Sequence, residues 1–478
     1  MRNNFLFITA DQFRHDALGC RGVFPIHTPH LDALAAGGTV FDQAYCPNPM
    51  CVPARASIMT GLPCHRHGVY YNDQAWSEGV PTLPAVLAAN GYDTVEVGKT
   101  HFFPTHRHGG FQKVILPSDY HQAMRKKYGA ARKSSAAGTG NWEEMIIRHY
   151  TRQWDGSIQP EDYEPTYFTT RAIAELEKLV RRRECTGDAS EPFFMWLSLL
   201  QPHSPCAPPP PYDSLYRPED LKPPVKSEAE KEGFAAPLRG FSRGWEALPP
   251  EIIANFRARY LGSVSLVDHE ISRMLAALRS LGLHENTIVI FSSDHGEYAG
   301  DHHQMQKGFF HDAASRVPLI FSGPGIAVGH RVSGEANLYD LKPTLLDLCG
   351  LLRPPVRDRD GRCLYHGVAE EGTLSLRPAL QGGELPGDRV NVSESGIYGQ
   401  GMMAKRGREK FNYYPQTNEL DYFDLETDPD ELINRGREFQ FSTLPSWARE
   451  TFAGIMRHTA PLQSQSYCFE GRVRRMFT

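Results

Sequence analysis

The side chains best suited to chemistry fall at recurrent places in this 478-residue chain. Ala10-Asp11-Gln12 follows the apolar run at 5–9, and Gly98-Lys99-Thr100-His101 follows the run at 94–97. Gln201-Pro202-His203-Ser204-Pro205 follows 193–200, and Ser293-Asp294-His295-Gly296-Glu297 follows 287–292. Two aspartates, two carboxamides, three histidines and a lysine are thus delivered by four run ends. These residue types ligate metals, neutralise anions and carry protons. Taken singly each has a structural reading, since an Asp after a strand is commonly a helix N-cap. Four such placements together are harder to dismiss. A fifth segment, Cys51-Val52-Pro53-Ala54-Arg55, leads into the helical pattern of 56–61. It puts residue 51 near a helix N-terminus, where free N–H groups and the macrodipole favour anions. Arg55 lies one turn on, in reach of residue 51 or its ligand.

Those side chains need a scaffold that gathers them. The runs at 5–9, 94–97, 193–200, 287–292 and 319–322 are near-continuous rather than alternating, as in strands buried on both faces. Helical patterns lie between them. The clearest, 250–281, repeats Leu261, Val264, Val267, Ile271, Met274, Leu275 and Leu278 at helical spacing and is closed by Gly282. Others are expected at 169–182 and 341–348. Strand–helix alternation predicts an α/β fold with a mostly parallel sheet between helices. In such a sheet ligands sit beyond the carboxyl ends of the strands, which is where the residues above fall. The Pro-containing stretch 217–243 reads as a surface excursion, and 353–387 as a linker. Beyond it, short segments at 390–392 and 422–425 and a helical pattern near 444–456 predict a small C-terminal α+β subdomain. The division is drawn as 1–385 and 386–478.

Composition excludes several classes. Fifty-one Lys and Arg against 56 Asp and Glu leave a net charge of -5, without the basic surplus of a nucleic-acid binder. No stretch approaches the ~18 apolar residues that span a bilayer. The run at 5–8 is too short for a secretory signal. The nine cysteines form no CxxC pair, so neither a disulfide framework nor a zinc knuckle is expected. The chain reads as cytoplasmic.

The Cys51–Arg55 segment resembles the sulfatase signature C-x-P-[S/A]-R, whose cysteine is oxidised after translation to formylglycine. Asp11-Gln12, Thr60-Gly61, Gly98–His101, Pro202–Pro205, Ser293–Gly296, Lys307 and Tyr422–Leu425 with Asp428-Pro429 resemble further sulfatase blocks, in sulfatase order. The resemblance covers nearly the whole chain. It implies the alkaline-phosphatase-like fold and a divalent metal held by Asp11, Gln12, Asp294, His295 and residue 51. It implies that Cys51 becomes a formylglycine hydrate through a formylglycine-generating maturation enzyme. One hydroxyl of the hydrate attacks sulfur, the alcohol leaves, and sulfate is expelled as the aldehyde re-forms. Lys99 and Lys307 neutralise the ester oxygens, and Arg55 holds residue 51 or its ligand. His101 and His203 share the proton transfers, in an order the sequence leaves open. Asn72 is a candidate substrate contact, as is His302 from the Asp301-His302-His303 loop. The implied activity is hydrolysis of a small organic sulfate monoester.

The chain departs from the commonest pattern. Asp11-Gln12 stands where many members pair two aspartates, and Asp294-His295 where many have Asp-Asn. Calcium is the family default, but an imidazole ligand moves the expectation toward Mn2+ or Zn2+. The same pairs resemble phosphonate monoester hydrolases and choline sulfatases, so a phosphonate monoester hydrolase or phosphodiesterase with the same nucleophile is the alternative. Lys99 and His101 lean toward sulfate. Tyr70, Tyr71, Trp76, Phe102 and Phe103 are candidates for a cation cage, or for plain core and rim. Cys64–His67 and His106–His108 lack a paired ligand set and are expected to be solvated loops. The tail 461–478 is the candidate contact for a second copy in a homo-oligomer.

Overall fold

The computed structural model describes residues 2–129, 142–186, 191–246, 248–352, 372–397 and 400–459. Eight strands form one sheet: β1 (Asn4–Ala10), β2 (Thr39–Tyr45), β3 (Asp93–Gly98), β4 (Lys113–Ile115), β5 (Phe193–Leu199), β6 (Thr287–Ser292), β7 (Leu319–Ser322) and β8 (His330–Asn337). Their order is β4-β3-β5-β1-β6-β7-β2-β8. Every pairing is parallel except those of β7, which runs against β6 and β2.

The continuous apolar runs are explained by burial on both faces. Along β1, Leu6, Ile8 and Ala10 enter the core on one side, and Phe5 and Phe7 enter the core on the other. β5 divides likewise, with Met195 and Leu197 on the first side and Phe194 and Trp196 on the second. Each such side chain contributes roughly 1.5–3 kcal/mol. The helices Glu164–Thr186 and Pro250–Ser280 supply Phe168, Leu176, Leu261 and Val264 to the first core. The helices Cys51–Thr60 and Leu341–Leu348 supply Val52, Ile58, Leu341 and Leu345 to the second. Among the described residues, no helix is long and apolar enough to cross a membrane.

A second sheet of four antiparallel strands follows: β9 (Asn391–Ser395), β10 (Gly401–Arg406), β11 (Glu409–Tyr414) and β12 (Glu419–Asp424). Phe411, Tyr413 and Tyr422 on one face pack on Ala448, Phe452 and Ile455 of the helix Ser446–Thr459.

Two sequence expectations change. The stretch 217–243 is more than a surface excursion, because Phe234, Leu238 and Phe241 are anchored in the first core. Its charged composition hid those three residues. The expected linker contains the short helix Arg377–Leu380, which buries Ala379 and Leu380. The first part of that stretch, 353–371, and the proposed oligomer-contact tail lie outside the described residues.

Candidate active site

The site is built at the carboxyl edge of β1, β3, β5 and β6. Asp11 and Gln12 continue β1, and the Asp11 N–H donates to the Leu199 carbonyl at 3.0 Å. Gly98 ends β3 with φ +111°, and a Cβ there would collide with the Ser198 carbonyl. Only glycine lets β3 approach β5 closely enough to turn Lys99 and His101 inward. Three non-glycine residues, Gln12, His101 and Gln306, also sit at positive φ (66°, 50° and 67°). Such conformations persist where surrounding contacts impose them.

Cys51 opens the helix Cys51–Thr60, and Pro53 is tolerated because first-turn N–H groups have no intrahelical partner. The Val52 N–H donates to Asn72 Oδ1 at 3.1 Å, which fixes Asn72 beside residue 51. The Cys51 sulfur lies 3.1 Å from His295 Nε2 and 3.8 Å from both Asp11 Oδ1 and Lys99 Nζ. His101 and His203 lie near enough for the thiol to favour their protonated forms. Cys51 itself is 1% exposed.

Asp11, Cys51, Asp294 and His295 place one ligand atom each within 4.8 Å of one another, all buried. His295 Nδ1 lies 3.0 Å from the Gly296 carbonyl, an acceptor, so Nδ1 carries the hydrogen and the Nε2 lone pair faces the cluster. Two carboxylates, an imidazole lone pair and residue 51 therefore converge as a divalent ion requires. The side chain of Gln12 is engaged by other partners: its Oε1 accepts from Lys307 Nζ at 2.5 Å and its Nε2 donates to Glu297.

Arg55 is fully buried and knits the site together. It bonds Asp294 Oδ2 at 2.8 Å, Asp11 Oδ2 at 3.2 Å and Ser198 Oγ at 2.8 Å, and also donates to the Lys99 carbonyl. Lys99 Nζ reaches Asp11 Oδ2 at 2.5 Å. Lys307 Nζ is 3.0 Å from His203 Nε2, while His203 Nδ1 lies 2.6 Å from the Ser204 carbonyl.

The electrostatics follow. Burial pushes the Cys51 thiol up, but Lys99 and Lys307, joined by His295 when its ring is protonated, and the His101 hydrogen bond outweigh it and hold it well below its ordinary value. Burial and Cys51 push Asp11 up, yet Lys99, His203 and Arg55 keep it below the usual carboxylate range. Burial, then Lys99, lowers His101, and burial, then Lys307 and Lys99, lowers His203. The position of residue 51 is thus a cationic pocket that stabilises a negative atom.

The structure thus brings Asp11, Gln12, Cys51, Arg55, Asn72, Lys99, His101, His203, Asp294, His295 and Lys307 into one cluster. It does not bring His302 there. That ring is buried in a second cluster, 3.3 Å from Glu230 and stacked on His311 at 4.0 Å. The reason is the preceding residue: Arg14 and Arg257 grip Asp301 at 2.7 and 3.1 Å and turn the loop away. The segment Cys64–His67 also departs from expectation. Cys64 and His67 are buried, and His67 Nε2 is 2.8 Å from Ser57 Oγ. His106 and His108 are exposed. Tyr70, Trp76 and Phe102 are buried, whereas Phe103 is 40% exposed.

Sequence reasoning missed the supporting residues. Glu297, buried and raised by that burial, accepts from Gln12, from the Ala299 N–H at 2.8 Å and from the Gln306 N–H at 2.6 Å. Gln306 in turn donates to Ser204 Oγ at 2.7 Å and to Tyr150 at 2.9 Å. The signal available was proximity in sequence to Asp294 and Lys307.

Residues 3–351 match the sulfatase family. An arylsulfatase of Clostridium perfringens is 32% identical over 452 residues, 91% of this chain and 90% of that protein. A choline-sulfatase of Rhizobium meliloti is 28% identical over 448 residues, 90% of this chain and 82% of that protein. The crystal structure of a phosphonate monoester hydrolase of Agrobacterium radiobacter shares the fold, with a TM-score of 0.77 at 24% identity over 96% of both chains. With the family matched over most of its length and the strand-end residues gathered around Cys51, this chain belongs to the sulfatase family of the alkaline phosphatase superfamily.

Proposed function

We propose that the protein is a sulfuric ester hydrolase acting on a small organic sulfate monoester, with residue 51 as nucleophile after conversion to formylglycine. The observation that carries this reading is the cationic pocket around the Cys51 sulfur beside a buried Asp–Asp–His set. The sulfur stands where a hydroxyl of the formylglycine hydrate would. A divalent ion held by Asp11, Asp294, His295 and residue 51, with Gln12 beside it, would lower the pKa of that hydroxyl and offset the charge of the ester oxygens.

Lys99 and Lys307 flank the position and bind the non-bridging oxygens. Asn72, fixed by the Val52 N–H, contacts the same anion. Arg55 orients the two carboxylates. His101 takes the proton of the residue-51 hydroxyl. His203, whose Nε2 accepts from the Lys307 ammonium, passes that proton to the leaving oxygen, which is general-acid work with Lys307 as the proton source. The imidazole of His295 favours Mn2+ or Zn2+ over Ca2+. A formylglycine-generating enzyme is the implied partner in maturation. A division at 385/386 is supported by the change from the eight-stranded to the four-stranded sheet. A cytoplasmic setting is supported by seven free cysteines among the described residues.

The second reading is a phosphonate monoester hydrolase or phosphodiesterase with the same nucleophile. It is supported by the likeness to the phosphonate monoester hydrolase; the carboxamide of Gln12 makes the shell less negative but does not by itself choose between sulfur and phosphorus. The ratio of kcat/KM for aryl sulfate and aryl phosphonate decides between the two; phosphonate turnover ahead by orders of magnitude would overturn the sulfatase reading. Chelation should abolish activity, and recovery with Ca2+ alone would remove the metal preference argued from His295.

A further inference from the structure

The second sheet has an edge strand, β9, that pairs only with β10 within its own sheet. Its other edge is turned onto the catalytic part. Asn391 Nδ2 donates to the Ala336 carbonyl at 2.7 Å, and Asn337 Nδ2 donates to the Val392 carbonyl at 2.9 Å. At its far end β9 and the two residues after it touch three segments in turn.

The Glu394 N–H donates to the Pro47 carbonyl at 2.8 Å, four residues before Cys51. The Glu394 carboxylate, fully buried, accepts from the Tyr70 hydroxyl at 2.7 Å and from the His65 N–H and Nδ1 at 3.1 and 2.9 Å. The Tyr71 hydroxyl donates to the Gly396 carbonyl, and a Cβ at Gly396 would stand 2.5 Å from Tyr71 Cζ. Tyr70 and Tyr71 directly precede Asn72. Ser395 Oγ donates to the Gly308 carbonyl at 2.7 Å and accepts from the Ile397 N–H at 3.2 Å. Gly308 directly follows Lys307, and the Ile397 side chain lies so close to it that a Cβ there would collide.

One short stretch, 394–397, therefore fastens the approaches to residue 51, Asn72 and Lys307. These come from three distant parts of the chain, and 394–397 is a rigid support common to all of them. Reacting groups misplaced by about 1 Å can cost about 10²-fold in rate. A fully hydrogen-bonded carboxylate and a bridging hydroxyl are the kind of support that prevents such a shift. We propose that the end of β9, through Glu394 and Ser395, is a strut that sets the spacing of residue 51, Asn72 and Lys307, so that the C-terminal sheet is part of the active site. Glu394 and Ser395 are positioning residues. This inference rests on the roles given to residue 51, Asn72 and Lys307 under the proposed function.

The test uses the full-length, matured enzyme. For Ser395→Ala, Tyr71→Phe and Glu394→Gln, kcat and KM for an aryl sulfate, the inhibition constant of inorganic sulfate and Tm are measured. The expected result is a rise of about tenfold in KM and in the sulfate inhibition constant for Ser395→Ala. Ser395→Thr, which keeps the hydroxyl, should restore both. Phe452→Leu, in the core of the same subdomain, should lower Tm and leave KM unchanged. If Glu394→Gln does not fold, Ser395→Ala and Tyr71→Phe carry the test. Values of KM and inhibition constant within twofold of wild type, while Lys307→Ala and Asn72→Ala raise them, overturn the strut. So does a loss of activity that tracks Tm and is not restored by Ser395→Thr. If Lys307→Ala and Asn72→Ala themselves change nothing, the reading of the site falls, and the strut falls with it.

Discussion

Two of the buried charge clusters among the described residues are built on different rules. Around Cys51, ligand atoms of Asp11, Asp294 and His295 face one another and converge on one point, with Arg55, Lys99 and Lys307 gathered beside them. Beneath the C-terminal sheet, Lys410 sits between Asp312 at 2.8 Å and Glu431 at 2.7 Å, and His302 faces Glu230. There each charge has its opposite as its nearest neighbour. Beyond the Asp11–Cys51–Asp294–His295 set, no group of three such ligand atoms converges anywhere among the described residues. Asp11 and Asp294 each give one oxygen to a cation, Lys99 or Arg55, and leave the other facing the point of convergence, which is complete only with a ligand; charges that only pair are complete as they stand. The first cluster is built to take a ligand and the second to hold a fold.

Breaking that contrast is most direct at residue 51. Cys51→Ala should cost at least about 10³-fold in kcat with little change in Tm, because it removes the proposed nucleophile from an otherwise intact pocket. A mutant that kept a tenth of its activity would place the chemistry elsewhere. The converse variant is Lys410→Met. It leaves Glu431 buried without its cation and Asp312 with Arg316 alone, so a loss of about 3–5 kcal/mol in stability is expected, read as a fall in Tm. Activity per folded molecule should hold, and a selective loss of kcat would mean that the second cluster takes part in catalysis.

A pH series sharpens the comparison further. Asp421, buried in β12, is pushed by that burial up to about 6 from 3.8, although Asn412, Tyr414 and Asn434 donate to it. Its folded pKa is raised, so its contribution is fully present below the unfolded value and is lost as pH rises through about 6. The loss is on the order of 3 kcal/mol between pH 4 and 6. Asp421→Asn should flatten this part of the Tm profile; an unchanged slope would assign the effect to another group. The smallest expected effect is that of His302→Ala. Since His302 stacks on His311 away from the site, kcat/KM should stay within about threefold, and a larger loss would return it to the substrate.

The central strands were legible because burial on both faces leaves an unbroken apolar run, as in β1, β5 and β6. β2 and β8 were not, since Asp42 and Gln43 interrupt one and His330, Arg331 and Glu335 the other. β10 and β11 were missed for a related reason. Their Lys405 and Lys410 are buried, and they are neutralised by Glu335 and Asp312, partners distant in sequence. The site was legible where residues directly follow strands, because the sheet alone brings those positions together. Ser198, Glu297 and Gln306 serve it through hydrogen bonds to other side chains and main-chain groups; nearness to Asp294 and Lys307 was the one mark the last two carried. His302 misled because nearness to Lys307 in the chain was not nearness in space.

The depth of Cys51 has a consequence for the order of events in the life of the chain. Its sulfur lies among the residues that follow β1, β3 and β6, at the head of a helix whose residues are all buried, and Arg55 locks that helix to two strand ends. A separate protein that rewrites this side chain needs several residues on either side of it laid open. The folded chain offers none of them. If residue 51 is converted as proposed, conversion and folding compete for the same segment: a molecule that closed its sheet first would be sealed with a thiol inside, well packed and silent. The rate at which the central sheet assembles would then set how much of the protein becomes active.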